Sequence, residues 1–171
     1  PLGGIVQQFT YSDSGPWSRL PDGNGPSLVL ISPDSDPDPN DPVNWRASAT
    51  YGGRPGSSDS RTFLGDPNAD LDGNGMPDLV DHGLTENGVP VIGHSGENLV
   101  LEFTRDIAAD DVVVTVQFSS DLLTWTDASS IFTMQDSQYL GTGGLRLQYQ
   151  APVSAVLPSR TYFRVRFRQV D

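Results

Sequence analysis

The stretch from Asp66 to His82, DPNADLDGNGMPDLVDH, holds five aspartates, two asparagines and two glycines. Like charges packed this densely repel one another unless the segment stays open in water or a cation sits among them. From Asp70 the order is D-x-D-x-N-G-x-x-D-x-x-D. That is the spacing of a calcium loop, with Asp70, Asp72 and Asn74 at positions 1, 3 and 5. Gly75 falls at position 6, where the chain must turn sharply through positive φ. Met76 would offer its backbone carbonyl at position 7, Asp78 would act directly or through water at 9, and Asp81 would close the loop at 12. A hard divalent cation takes six to eight oxygens, and alternation of this kind aims them at one point. Ca²⁺ is therefore the expected cofactor. Asp66 and Asn68 continue the alternation upstream and are candidates for a second ion. The plain alternative is a solvated acidic linker.

The elements around this loop read as β-structure. Fourteen Pro and eighteen Gly among 171 residues, with short apolar runs between them, favour strands and turns over helices. Three zones appear. Residues 1–62 alternate turn clusters with short strands, expected over Ile5–Tyr11 and Pro26–Ser32. Residues 63–88 are the acidic segment, expected to act as a linker. Gly65 and Pro67 argue against a helix before the loop, whereas Pro77 suits a first helical position and Gly83 a C-terminal cap. Residues 89–171 carry longer alternating runs. Leu99, Leu101 and Phe103 share one face, as do Val112, Val114, Val116 and Phe118. Leu145, Leu147 and Tyr149 repeat the pattern. In the last run Phe163, Val165 and Phe167 face in, and Arg164, Arg166 and Arg168 face out. Half-buried antiparallel strands at this spacing predict a β-sandwich.

Composition excludes several functions. The ten basic residues are all Arg and the net charge is −12, so nucleic acid and anionic membranes are not expected partners. No apolar run approaches the roughly 20 residues of a membrane helix. There is no Cys for a disulfide or a thiolate metal site. Pro1 in place of an initiating Met reads as a piece of something longer. Of the two histidines, His82 adjoins the loop and is read as a bystander, since calcium prefers oxygen. His94 lies in GHSGE, where Glu97 stands in the place of the second glycine of a nucleophile elbow. GTGG (Gly141–Gly144) has no Lys to make a phosphate loop. No catalytic residues are expected, and the chain is not expected to be an enzyme.

Three resemblances carry the reading further. A closing Asp at position 12, with no helix before the loop, makes residues 66–81 resemble dockerin and thrombospondin type 3 repeats more than a sensor EF-hand. TYSDSGPW (Thr10–Trp17), DGNGPSLVLISPDSD (Asp22–Asp36), NDPVNWRAS (Asn40–Ser48) and the following GGRPG resemble the C-terminal part of a bacterial lamin tail domain, over residues 5–56. VTVQFSSDLLTWT (Val114–Thr126) and LPSRTYFRVRF (Leu157–Phe167) resemble a fibronectin type III domain spanning 89–171, with Tyr162 at the tyrosine corner. The implied fold class is all-β, two immunoglobulin- or fibronectin-like sandwich regions joined by a calcium loop. These resemblances imply a non-catalytic structural or adhesive module of a secreted or cell-surface bacterial protein, extracellular and braced by Ca²⁺. The alternative is a carbohydrate-binding accessory module of a secreted enzyme. Trp17 and Trp45 are read as core or lid aromatics, with sugar stacking as their other role.

Partners are expected to be further copies of the chain, neighbouring modules of its parent, or a glycan. The Arg164, Arg166 and Arg168 ladder either faces water or meets an acidic partner such as the Asp34–Asp41 loop of another copy. The last strand is expected to be covered in the functional form. Strand complementation between copies, building a filament, is one way to cover it.

Overall fold

The computed structural model describes residues 8–156 and 161–170. The fold is all-β, built from antiparallel sheets, with two short α-helices and two 3-10 turns among the described residues. β1 (Pro26–Leu30) and β2 (Trp45–Tyr51) form a two-stranded sheet. After the acidic segment comes α1 (Asp78–Gly83). Then follow β3 (Val91–Ser95), β4 (Asn98–Asp106), β5 (Val112–Ser119) and β6 (Thr126–Asp127). β7 (Thr133–Tyr139), β8 (Gly144–Pro152), α2 (Val153–Val156) and β9 (Tyr162–Gln169) complete the chain.

One sheet has the order β3-β4-β8-β7 and another the order β6-β5-β9. Their alternating apolar residues meet in a shared core. Leu101, Phe103, Leu147 and Ala151 come from the larger sheet, and Val114, Val116, Phe163, Val165 and Phe167 from the smaller. Burying a side chain of the size of Leu101 or Phe103 contributes about 2 kcal/mol. Phe103 stacks on Tyr149 at 6.0 Å, and Phe132 meets Phe163 edge-on at 5.3 Å. The inward and outward faces expected for β4, β5, β8 and β9 are those observed.

Among the described residues, the first zone contributes one two-stranded sheet with no facing sheet of its own. Its register shifts between Pro26 and Leu28. The Ser27 N–H left over by that shift donates to the hydroxyl of Ser48, which is fully buried and in turn donates to the Thr50 carbonyl. The strand expected over Ile5–Tyr11 lies partly outside the described residues; Gln8–Tyr11 are not strand. Phe9 stacks on Trp45 at 4.6 Å, and that side-chain contact, with no backbone ladder, holds the segment.

The acidic segment is not free of the sheets. Phe63 and Leu79 are buried with Ala109 and Val112, and Leu84 enters the shared core. α1 starts one residue later than the proline pattern implies, with Pro77 as its N-cap in extended conformation. Gly83 is the last helical residue and not a left-handed cap. Its lack of a side chain serves packing: an added Cβ would lie 2.8 Å from Phe167 Cδ1 and 3.2 Å from Val112 Cγ1.

Candidate functional site

Backbone turns and Asx-type hydrogen bonds shape the loop. Gly73 and Gly75 both take positive φ, 73° and 87°. The Gly75 N–H donates to Asp70 Oδ2 at 3.0 Å, drawing position 6 back over position 1. The Leu71 N–H donates to Asp78 Oδ1 at 3.0 Å, and the Asp78 N–H to the Ala69 carbonyl at 2.7 Å. These bonds close the loop onto the start of α1.

Asp72, Asn74 and Asp81 converge. The Asn74 amide nitrogen lies 3.1 Å from Asp72 Oδ2, and 3.2 and 3.1 Å from the two oxygens of Asp81. Asn74 is expected as an oxygen ligand, yet it presents nitrogen to the carboxylates and lends its oxygen to the Met76 N–H at 2.7 Å. Asp70 and Asp78 bond to backbone N–H groups of the same loop. Asp66 and Asn68 bond to each other, Asn68 N–H to Asp66 Oδ1 at 2.9 Å, and make no bond to the 70–81 side chains. Among the described residues no three acidic or histidine side chains form a ready-made metal cage. The side chains at these positions are the oxygen-bearing types that Ca²⁺ takes, and the Asn74 amide would have to turn its oxygen toward Asp72 and Asp81 to join them as a ligand.

His82 is tied into the protein and is not idle. Its Nε2 lies 3.0 Å from Asp111 Oδ1, and its ring packs 5.4 Å from Phe63. Partial burial works to raise the Asp111 carboxyl, but hydrogen bonds from the Phe63 N–H and from His82 outweigh it. The group titrates below the ordinary aspartate range. This cluster fastens the end of α1 to the loop before β5. Nothing in the local pattern around His82 or Asp111 announces it, because the partners are 29 residues apart.

A second network escapes sequence reasoning entirely. Arg46 on β2 reaches Asp59 at 2.6 Å and Asp110 at 2.5 and 2.8 Å, with all three side chains nearly buried. Burial works to lower the Arg46 pKa, and the two carboxylates reverse that, holding it above its ordinary value.

Phe9, Tyr11 and Trp45 of the first zone line a cleft of about 760 Å³. Trp45 is anchored by its indole N–H on the Pro39 carbonyl at 2.9 Å and carries Phe9 on its face. Tyr11 stands 65% exposed beside Phe9, with Trp17 edge-on to it at 6.3 Å. Asp13 and Asp22 line the same cleft.

His94 is exposed on β3, and Gly141–Gly143 lie in the turn between β7 and β8, with Gly144 the first residue of β8. Neither a family model, a curated protein nor a solved structure matches this chain.

Proposed function

We propose that the chain is a non-catalytic structural or adhesive module of a secreted or cell-surface bacterial protein, in which Ca²⁺ braces the joint between its β-regions. Asp70, Asp72, Asn74, Asp78, Asp81 and the Met76 carbonyl would hold the ion, which supplies the positive charge that this acidic loop otherwise lacks. The observation that carries the reading is the shared use of α1. Asp78 and Asp81 belong both to the loop pattern and to the helix, whose Leu79 is buried against Phe63, Ala109 and Val112. An ion that orders the loop thereby orders the start of a helix packed into the core, so binding is linked to folding.

The sheet orders support the sandwich resemblance. Read as an immunoglobulin-type arrangement, β3, β4, β8 and β7 correspond to strands A, B, E and D, and β6, β5 and β9 to C′, C and F. Neighbouring modules of the parent protein are the partners that such a spacer would have.

Amide hydrogen exchange with and without calcium tests the proposal. The α1 amides Val80 to Leu84 become more protected in calcium, while β4 and β8 change little. Equal exchange at α1 in both conditions contradicts it.

The aromatic cleft favours a second reading, a module that binds neutral glycan. Tyr11 offers an exposed ring face for a pyranose, and Asp13 and Asp22 offer acceptors for its hydroxyls. A glycan array separates the two readings, with Tyr11→Ala removing any signal that comes from this cleft.

A further inference from the structure

Among the described residues the two facing sheets are unequal, four strands over three, and β9 is an edge of the smaller one. The Val170 N–H donates to the Asp111 carbonyl, which fixes the parity of the β5–β9 ladder. Tyr162, Arg164, Arg166 and Arg168 turn their backbone groups toward β5. Phe163, Val165, Phe167 and Gln169 turn theirs away, and among the described residues no strand pairs with them. β9 is eight residues long with no register shift. The other edges are less open. β6 has two residues, β3 has five with a central glycine, and β7 is interrupted between Met134 and Asp136.

β3, at the edge of the opposing sheet, is exposed along its whole length. Ile92 stands in register with the buried Leu101 and faces the same way, yet is 47% exposed. Among the described residues no strand of the smaller sheet covers it.

Charge decides what fits this edge. Arg164 is engaged by Gln117 and by the Trp125 ring, whereas Arg166 and Arg168 have no ionic or hydrogen-bonding partner among the described residues. They are left so in a chain of net charge −12. β9 of a second copy would set arginine opposite arginine, which is unfavourable. The acidic alternation Asp34, Asp36, Asp38 of a second copy is held in turns, with Asp36 at φ 54° and the Asp38 carboxylate bonded to Asn40.

We propose that the free edge of β9 takes up an extended segment of a partner polypeptide in which apolar and acidic side chains alternate. Its apolar residues would stand in line with Phe163, Val165 and Phe167 and extend the core toward Ile92. Its acidic residues would stand beside Arg164, Arg166 and Arg168, and its backbone would complete the unpaired ladder.

The probe is a synthetic peptide as long as β9 that alternates valine with glutamate, compared with one that alternates valine with lysine. Only the glutamate peptide slows hydrogen exchange at Phe163, Val165, Phe167 and Gln169, and its affinity falls as salt rises. The double variant Arg166→Glu/Arg168→Glu weakens the glutamate peptide about fivefold and admits the lysine peptide. Arg19→Glu/Arg54→Glu, equal in net charge, leaves both peptides as they were. Three results overturn the proposal: no protection with either peptide, equal protection with both, or protection of the same amides by raising protein concentration alone. The last would make a second copy the occupant.

Discussion

Arg46 and Asp110, 64 residues apart in the chain, are joined by two hydrogen bonds, Nε to Oδ1 at 2.5 Å and Nη2 to Oδ2 at 2.8 Å. The pair ties β2 to the turn between β4 and β5, and Asp59 closes it into a triad. Removing the cation leaves two buried carboxylates facing each other, whereas removing one carboxylate leaves Arg46 its second partner. Arg46→Met should therefore lower stability by about 3 to 5 kcal/mol, and Asp110→Asn by clearly less. Urea denaturation of the two variants checks the order. If Asp110→Asn costs as much as Arg46→Met, Asp59 is not compensating.

The seat of α1 is tight enough to be read from two opposite substitutions. Leu79→Ala opens a cavity among Phe63, Ala109 and Val112 and should cost about 2 to 4 kcal/mol. Gly83→Ala drives a methyl group against Phe167 and Val112 and should cost about 1 to 3 kcal/mol. Thermal melting measures both. A neutral Gly83→Ala would mean that the helix can move off the core.

Asp111 makes stability depend on acid. Its carboxyl titrates below its unfolded value, so its contribution is complete above the ordinary aspartate pKa of about 4 and is lost as pH falls through the lower folded value. Asp111→Asn should be less stable than the parent at pH 7, and the difference should shrink as pH drops below about 4. Denaturant melts at a series of pH values report this. A gap that stays constant with pH would show that the Phe63 and His82 contacts do not favour the charged form.

Much of the fold was legible because periodicity is local. Val112–Ser119 alternates over its full length, and β5 has those bounds. The arginines and phenylalanines of Thr161–Val170 sort themselves onto the two faces of β9. β7 was not legible. Thr133–Tyr139 is exposed and polar, and it is a strand only because β8 offers it a ladder. β2 was missed for a related reason, since its buried Ser48 and Arg46 are polar residues whose partners lie elsewhere in the chain. For the loop, the spacing named Asp72, Asn74 and Asp81, which meet through hydrogen bonds, but not that Asn74 would turn its nitrogen to the two carboxylates and its oxygen to the Met76 N–H. Sequence did not reveal that the segment is fastened to the core through Phe63, Leu79 and His82, because packing against distant residues leaves no local pattern.

Calcium titration of thermal stability, run on the parent and on Asp70→Ala/Asp72→Ala, tests the central claim most directly. Extracellular calcium modules bind with dissociation constants on the order of 10⁻⁴ to 10⁻³ M. At calcium tenfold above such a value, linkage adds about 1.4 kcal/mol for one site. The parent should gain that stability at millimolar calcium, magnesium should add less, and the double variant should gain nothing. A parent indifferent to millimolar calcium, or a double variant that gains as much as the parent, contradicts the account.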